Sequence, residues 1–232
     1  MAVLVQQENK KNLQIAIDGL TASGKSTIAK ILASKLNIMY LDTGAMYRAF
    51  TYLCISNNIE LTNKFEIVKM LNFFNYSVKN CENEEKVFLN NKDVTLEIRQ
   101  TEITNNTSKI SQIPEVREFM VKMQKKIAEN NSIVMDGRDI GSRVLKNADY
   151  KFYINADIDI RAKRRYLDYL KKYNSNDITY EQVKKDIEMR DFLDTKLENS
   201  PMKEIPSDSI VIMNNLSLDE VIDSMLKKIL SI

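Results

Sequence analysis

The chain has 232 residues, of which 44% are hydrophobic and 28% are charged, and its formal net charge is +2. It contains no histidine, which excludes catalytic triads built on histidine and metal sites built on imidazole. So small a net charge predicts no nucleic-acid or membrane partner, and the two cysteines suit neither a disulfide framework nor a metal site.

The sequence carries no targeting or membrane signal. The N-terminal apolar run is too short for a signal peptide, and no stretch approaches the roughly 20 apolar residues of a membrane span. We therefore expect a cytoplasmic protein. No surface pattern indicates a dimer, so a monomer is expected.

The first predicted elements follow in the order strand, tight loop, helix. An apolar run at 14–18 predicts a buried strand, and apolar residues at helical spacing predict a helix over 24–36. A second strand is predicted at 39–42, followed by a further helix. Asp18 and Asp42, which end the two strands, are interpreted only as residues that close them. This order is the beginning of a βαβ unit.

The middle of the chain, from 63 to 130, departs from this alternation. A helix is predicted at 65–74, followed by strands at 76–79 and 86–89 with Asn- and Glu-rich turns, which is typical of a hairpin. Pro114 begins another helix. We expect an inserted subdomain of α+β character here.

The last part of the chain returns to strands that alternate with helices. The predicted strands lie at 132–136, 150–154 and 209–213, and the predicted helices at 157–173, at 179–192 and from Ser217 onward. The predicted fold class is therefore α/β, with a five-stranded parallel sheet and helices on both of its faces. Residues 1–62 and 131–232 would form this core.

All five glycines lie in three short segments, and the first segment is a phosphate-binding motif. Residues 19–26 are G-L-T-A-S-G-K-S, which matches G-x-x-x-x-G-K-[S/T] between a predicted strand and a predicted helix. Backbone amides of such a loop, together with the helix N-terminus, bind phosphate groups. We predict that a nucleoside triphosphate binds at Gly19, Leu20, Thr21, Ala22, Ser23, Gly24, Lys25, Ser26 and Thr27. The loop alone does not distinguish a GTPase switch, a motor ATPase and a small-molecule kinase.

The other two glycine segments follow the predicted strands at 39–42 and 132–136. They are L-D-T-G-A-M-Y followed by Arg48, and V-M-D-G-R-D-I-G-S-R. Ligands of open α/β sheets bind beyond the carboxyl ends of the strands, so the three segments should converge on one crevice. There Asp136 and Ser26 would hold Mg²⁺. Arg48 and Arg138 indicate a second substrate that carries a phosphate group.

This combination of motifs resembles the cytidylate kinase family, nucleoside monophosphate kinases with the P-loop kinase fold. The resemblance extends from Ile15 to Leu230. Its most specific segments are residues 41–48, E-I-R at 97–99, P-E-V-R at 114–117, D-G-R-D at 136–139, R-A-K-R-R-Y at 161–166 and R-D-x-x-D at 190–194. It implies transfer of the γ-phosphoryl group of ATP to CMP or dCMP with Mg²⁺. It also implies a CMP-binding role for the insertion at 63–130 and a short mobile lid at about 157–195.

The resemblance further implies roles for individual residues. The catalytic residues would be Lys25, Arg138, Arg161 and Arg165. The residues facing the CMP phosphate would be Thr43, Arg48 and Arg138, with Tyr47 as a further substrate-binding residue. The residues at the cytosine edge would be Ser108, Arg117 and Asp139. The residues on the nucleotide side of the lid would be Arg190 and Asp194, with Asp194 at the ribose hydroxyls.

Four positions depart from the family pattern. Leu20 and Thr21 replace a proline and a small residue, which should alter the stiffness of the loop more than its amides. Leu197 replaces an arginine that would help to bind phosphate, and Lys196 stands next to it. Met213 replaces an aspartate at the end of the last strand.

Two other functions stay open at this point. One is a kinase for another acceptor such as UMP, AMP or shikimate, against which the long insertion and the three cytosine-edge residues argue. The other is a nucleotide-binding module without catalysis, which the missing arginine slightly favours. The basic run at 161–165 is alternatively a solvated helix face, and Arg99 and Arg117 are alternatively surface ion-pair partners.

Overall fold

A computed structural model describes residues 12–81, 84–173, 178–195, 202, 205–215 and 217–230. The strands are Gln14–Gly19 (β1), Met39–Asp42 (β2), Tyr76–Cys81 (β3), Glu84–Leu89 (β4), Lys92–Asp93 (β5), Ile133–Gly137 (β6), Tyr150–Asn155 (β7) and Ile210–Met213 (β8). The α-helices are Lys25–Leu36 (α1), Thr43–Ser56 (α2), Lys64–Met70 (α3), Thr101–Ser111 (α4), Pro114–Glu129 (α5), Ile158–Tyr173 (α6), Tyr180–Thr195 (α7) and Leu218–Leu230 (α8). Short 3₁₀ turns at 71–73 and 97–99 and a π-helical turn at 140–144 complete the elements.

The main sheet is parallel and has five strands, as the sequence predicts, and the strand order is β2–β6–β1–β7–β8. In the central strand, Ile17 is paired with Asp136 of β6 on one side and with Phe152 of β7 on the other. Because the strands are parallel, their carboxyl ends lie at one edge of the sheet. The three glycine segments follow β1, β2 and β6 and therefore meet there.

Helices cover both faces of this sheet, which confirms the predicted layers. Successive strand residues point to opposite faces. Ala16 therefore packs in one cluster with α2 and α5, whereas Ile15 and Ile17 pack in a second cluster with α1 and α8.

The segment between α2 and β6 contains the predicted hairpin, in which Val78 lies opposite Val87. The short strand β5 extends this hairpin to an antiparallel sheet in the order β3–β4–β5 and was not predicted. Asn90 and Asn91 form the β4–β5 turn with positive φ angles, which asparagine adopts more readily than most residues. Buried residues of this sheet, including Phe74 next to it, belong to the same hydrophobic cluster as α2.

Helix α4 was missed by the sequence analysis. Its sequence, T-E-I-T-N-N-T-S-K-I-S, is rich in threonine, asparagine and serine, which favour caps and turns over helix interiors. Ile103, Thr107 and Ile110 nevertheless form a buried face at helical spacing. Packing against α2 thus outweighs the weak local propensity.

Helices α6 and α7 correspond to the two predicted polar helices that follow β7. They pack together through Ala162, Val183 and Ile187, and Ala22 of the phosphate loop contacts this small cluster. None of the helices in the described ranges combines the length and the apolar character that crossing a bilayer requires.

Candidate active site

The phosphate loop connects β1 to α1 at the carboxyl end of the central strand. Gly24 is the N-cap of α1 with a φ of 87°, a left-handed conformation that favours glycine. A Cβ atom at Gly19 would lie 2.2 Å from the carbonyl oxygen of Ile154, so only glycine fits this approach to β7. The geometry therefore requires both glycines of the predicted motif.

Lys25 is the buried cation of this loop. It is 8% exposed, and its Nζ lies 3.4 Å from the carbonyl oxygen of Leu20. Burial and the nearby charge of Arg138 lower the pKa of Lys25 to about 7. No ion pair joins it to a carboxylate among the described residues. An anion at the loop would supply the missing countercharge.

Asp136 lies next to Lys25 at the end of β6. The Ser26 hydroxyl donates to its Oδ2 at 2.6 Å, and the Tyr40 hydroxyl donates to its Oδ1 at 2.7 Å. The carboxyl is 2% exposed, and burial together with the charge of Asp42 raises its pKa above the ordinary value. Ser26 and Asp136, predicted to share a metal ion, are thus in direct contact.

The donor set of Ser26 and Asp136 fits a magnesium ion. In phosphoryl-transfer sites Mg²⁺ takes one or two protein oxygens and completes its coordination with water and substrate phosphates. A hydroxyl and a carboxylate oxygen that lie together at the N-terminus of α1 match this requirement. Within the described ranges no group of three or more acidic, cysteine or histidine side chains forms a metal cage.

The turn between β2 and α2 holds Arg48. The Asp42 carboxylate accepts hydrogen bonds from the Ala45 N–H at 2.9 Å and from the Arg48 guanidinium at 2.8 Å. Burial acts to raise the pKa of Asp42, but Arg48 and the Ala45 N–H outweigh this effect and lower it. Asp42 therefore does more than end a strand, since it caps α2 and orients Arg48.

Thr43 joins this turn to β6. Its hydroxyl donates to the carbonyl oxygen of Asp136 at 2.7 Å. A Cβ atom at Gly137 would lie 2.6 Å from the Thr43 Oγ1, so the close approach requires glycine there. The hydroxyl is thus engaged with the main chain, and its contact with the CMP phosphate stays a prediction.

Arg138 connects three parts of the site. Its Nε donates to Asp194 of α7 at 2.6 Å, and one terminal nitrogen donates to the Thr21 hydroxyl of the phosphate loop at 3.0 Å. Burial acts to lower its pKa, but Asp194 outweighs this and raises it. Arg138 and Asp194, assigned to separate substrate contacts in the sequence analysis, form an ion pair here.

Arg161 is a buried residue of α6 that contacts the phosphate loop. Its guanidinium donates to the carbonyl oxygens of Ala156 and Thr21 at 2.8 and 3.1 Å, and to Asp191 at 2.5 Å. Asp191 also accepts from the Thr21 N–H at 3.2 Å. Arg161 is 5% exposed, so it is not a residue of a solvated helix face.

Arg165, four residues further along α6, is exposed. Its positive charge acts on the guanidinium of Arg190 on α7. Burial and the charge of Arg138 lower the pKa of Arg190 to about 10, with Arg165 and Arg48 acting in the same direction. Four guanidinium groups from different elements thus face one region beside the phosphate loop.

The predicted cytosine-edge residues are only partly brought together. Arg117 of α5 donates to Asp139 at 2.7 Å and to the Ser111 carbonyl oxygen at 3.1 Å, and its buried Nε has no partner in the part of the chain that the structure describes. Tyr47 lies near this pair, because the charges of Arg117 and Asp139 both act on its hydroxyl. Ser108 lies on α4 and is half-buried. The Arg117–Asp139 pair is 9% and 15% exposed, so it is not a surface ion pair.

Two residues that support loops of the site, Asp18 and Asn214, were not predicted to do so from the sequence. Asp18 was interpreted as closing β1, but its carboxylate accepts from the Ile140 and Gly141 N–H groups, each at 2.8 Å, and so holds the turn after Asp139. Asn214 was not considered. Its side-chain amide donates to the Ser23 carbonyl oxygen at 2.7 Å, and its main-chain carbonyl oxygen accepts from the Arg164 guanidinium at 3.0 Å.

Of the departures from the family pattern near the end of the chain, the structure describes Met213 but not Leu197. Met213 is 44% exposed at the end of the edge strand β8, and the polar contact to the phosphate loop is made by the next residue, Asn214. At this strand end the sequence analysis singled out Met213, as a departure from the family pattern, and did not point to Asn214. Leu197 and Lys196 lie outside the described residues.

Comparison with known proteins gives matches over nearly the whole chain. The sequence model of the family described as "Cytidylate kinase" matches residues 15–231. The cytidylate kinase of Bacillus subtilis (strain 168) is 42% identical over 220 residues, which are 95% of this chain and 97% of that protein. The cytidylate kinase of Geobacillus sp. (strain WCH70) is 40% identical over 218 residues, 94% and 96% of the two chains. A solved shikimate kinase from Bacteroides thetaiotaomicron is 13% identical, with a TM-score of 0.48 over 95% of this chain and 99% of that one.

Proposed function

Since this chain belongs to the cytidylate kinase family, we propose that the residues at the carboxyl ends of β1, β2 and β6 carry out its reaction. The enzyme transfers the γ-phosphoryl group of ATP to CMP and forms ADP and CDP. Use of dCMP as a second acceptor is part of the proposal.

One observation supports the proposed placement of the phosphates. Burial first, and the charge of Arg138 second, lower the pKa of Lys25 to about 7 and that of Arg190 to about 10, so both groups lie among other cations. Packing cations this closely is unfavourable in the free protein and becomes favourable when phosphate groups lie between them. The convergence of Lys25, Arg48, Arg138 and Arg190 is what two nucleotides with facing phosphates require.

The donor and acceptor then occupy opposite sides of Arg138. ATP would bind at the loop of residues 19–27, with Lys25 at its β- and γ-phosphates. Arg48 would hold the phosphate of CMP. Because this phosphate is already an anionic nucleophile, transfer needs alignment and charge stabilisation rather than a strong general base, which agrees with the absence of histidine.

Ser26 and Asp136 would hold Mg²⁺. The ion, when bound, would neutralise charge on the terminal phosphate oxygens of ATP. Tyr40 donates to Asp136 and would keep the carboxylate oriented toward Ser26.

The buried pair of Arg117 and Asp139 would recognise the cytosine edge. Asp139 accepts hydrogen bonds and would take one from the exocyclic amine, which uracil lacks. The Nε of Arg117, which has no hydrogen-bond partner among the described residues, would leave a donor in this region. Tyr47 and Ser108 would complete the acceptor pocket from α2 and α4.

The lid and the insertion have distinct proposed tasks. Residues 63–130 would form the CMP-binding subdomain, and residues 157–195 the lid that excludes water during transfer. On the lid, Arg165 and Arg190 would contact phosphate, and Asp194 the ribose of CMP. The contacts of Arg161 with Asp191 and with the main chain favour a positioning role for this residue rather than a catalytic one.

We further propose that the enzyme works as a monomer in the cytoplasm with nucleotides as its ligands. A net charge of +2 gives no support for nucleic-acid binding.

An acceptor panel tests this function. ADP release should be measured with CMP, dCMP, UMP and AMP at equal concentrations, with shikimate as a non-nucleotide control. The ratio kcat/KM should be higher for CMP and dCMP than for UMP and AMP, because Asp139 would accept a hydrogen bond from the amine of cytosine. Faster turnover of UMP or AMP would contradict the proposed acceptor pocket.

A further inference from the structure

Glu85 is a buried carboxyl that none of the functional motifs contains. It lies on β4 and is 5% exposed. Its Oε1 accepts a hydrogen bond from the main-chain N–H of Asp42 at 3.1 Å. This bond joins the inserted antiparallel sheet to the turn between β2 and α2, which holds Arg48.

The bond satisfies an N–H group at an edge of the main sheet. Strand β2 is an edge strand, because β6 is its only partner in the sheet order. An N–H on the free side of an edge strand needs another acceptor when the surrounding structure covers it. Glu85 supplies that acceptor, so a side chain of the inserted sheet helps to fix Asp42, which caps α2 and orients Arg48.

The surroundings of Glu85 disfavour a negative charge. The charged and titratable groups that face it, from four elements, are Asp42 and Tyr40 of β2, Asp136 of β6, Tyr76 of β3 and Lys30 of α1. The ion pairs of the described residues do not include Glu85. Burial first, and Asp42 second, raise the pKa of Glu85 to about 8.

Tyr76 reinforces this environment. Its hydroxyl is buried and has no hydrogen-bond partner within the described ranges. The charge of Glu85 adds to burial in raising the pKa of Tyr76. A neutral Glu85 keeps its carbonyl oxygen for the Asp42 N–H and adds no third charge beside Asp42 and Asp136.

We propose that Glu85 is a positioning residue for the acceptor nucleotide, which as a neutral carboxyl fixes the β2–α2 turn and which weakens acceptor binding when it ionises. The inference rests on the proposed contact between Arg48 and the acceptor phosphate. It predicts a loss of CMP affinity at alkaline pH that originates in the insertion, whereas substitution of Glu85 leaves ATP binding unchanged at each pH.

The test compares Glu85→Gln and Glu85→Ala with the parent enzyme between pH 7 and 9. In the parent, the KM for CMP should rise by about threefold to tenfold over this range, because a buried negative charge appears beside Asp42, the residue that orients Arg48. Glu85→Gln retains an acceptor oxygen without a charge, so its KM for CMP should stay flat with pH and within about twofold of the parent value at pH 7. Glu85→Ala removes the acceptor and should raise the KM for CMP at every pH, whereas the KM for ATP stays the same.

Glu118→Gln is the matched control, because it makes the same charge change at an exposed position of the same segment. It should reproduce the pH profile of the parent. An alkaline rise that persists in Glu85→Gln, or equal changes of the two KM values in Glu85→Ala, would overturn the inference. Absence of CMP turnover in the parent enzyme would instead refute the proposed function itself.

Thermal unfolding provides a readout that does not depend on turnover. The folded protein binds the Glu85 proton more tightly than the unfolded chain, so Glu85 costs stability as the pH rises from its ordinary pKa to about 8. The melting temperature of Glu85→Gln should therefore exceed that of the parent at pH 8–9, and the difference should shrink toward pH 5. An equal difference at both pH values would contradict the assignment of a neutral Glu85.

Discussion

At the scale of single residues, four arginines of the site have carboxylate partners, whereas its lysine has no such ion pair among the described residues. Arg48, Arg117, Arg138 and Arg161 are each paired with a carboxylate, respectively Asp42, Asp139, Asp194 and Asp191. These pairs hold the guanidinium groups in place before any substrate binds, which reduces the ordering cost of binding. Lys25 has no such partner among the described residues, and its charge depends on the ligand.

ATP binding should therefore take up a proton at Lys25. The pKa of this group is about 7 in the free protein and rises when phosphates surround it, so above pH 7 binding brings a proton with it. By linkage, the affinity for ATP should fall as the pH rises above 7, by at most about tenfold per pH unit. Calorimetric titration at pH 8 in two buffers of different ionisation enthalpy measures the uptake.

The control for this prediction is Lys25→Gln, which removes the titrating group. It should bind ATP more weakly and without proton uptake. Equal uptake by the parent and the variant would assign the proton to another group.

At the scale of elements, the phosphate loop depends on contacts from elements that are distant in sequence. Asp191 of α7 binds the Thr21 N–H, and Asn214 after β8 binds the Ser23 carbonyl oxygen. Such contacts join segments separated by about 170 to 190 residues. The glycine spacing predicted the loop itself, but no local pattern indicated these supports.

Replacement of Asn214 by alanine should loosen the loop. The change removes the hydrogen bond to Ser23 in a buried place and should cost about 1–2 kcal/mol of unfolding free energy. Because the loop is the proposed donor site, the KM for ATP should rise severalfold, whereas the KM for CMP changes little. Urea unfolding and initial-rate kinetics measure the two effects.

Asn215→Ala is the matched control for this prediction. Asn215 is exposed, and its amide bonds to Asp157 rather than to the loop. This variant should keep the KM for ATP of the parent. If the two variants behaved alike, the contact between Asn214 and Ser23 would not be the cause.

At the scale of the whole molecule, the parallel sheet explains why widely separated motifs form one site. Periodicity and glycine spacing predicted the five strands and their common edge, because burial on both faces produces continuous apolar runs. The same reasoning missed α4, whose polar sequence becomes helical only through packing against α2. It also missed Glu85, whose importance depends on a contact between two sheets that sequence spacing does not reveal.

The individual roles were less predictable than the site as a whole. Arg161 and Arg165 belong to one basic run, yet the first is buried against the phosphate loop and the second is exposed. Helical spacing alone does not determine which residue of a charged run faces a neighbouring element. The ion pair of Arg138 with Asp194 likewise depends on where α7 lies relative to the residues that follow β6.

In the proposed arrangement, donor and acceptor phosphates bind to different cations of one cluster, with the acceptor phosphate at Arg48. Initial-rate kinetics of Arg48→Ala tests this arrangement, with Lys163→Ala as an exposed-cation control and Arg48→Lys to measure how much activity a charge alone restores. Loss of a charge-assisted contact should lower kcat/KM for CMP by about 10- to 100-fold and leave the KM for ATP within about twofold. Equal losses for CMP and ATP would contradict the assignment of Arg48 to the acceptor.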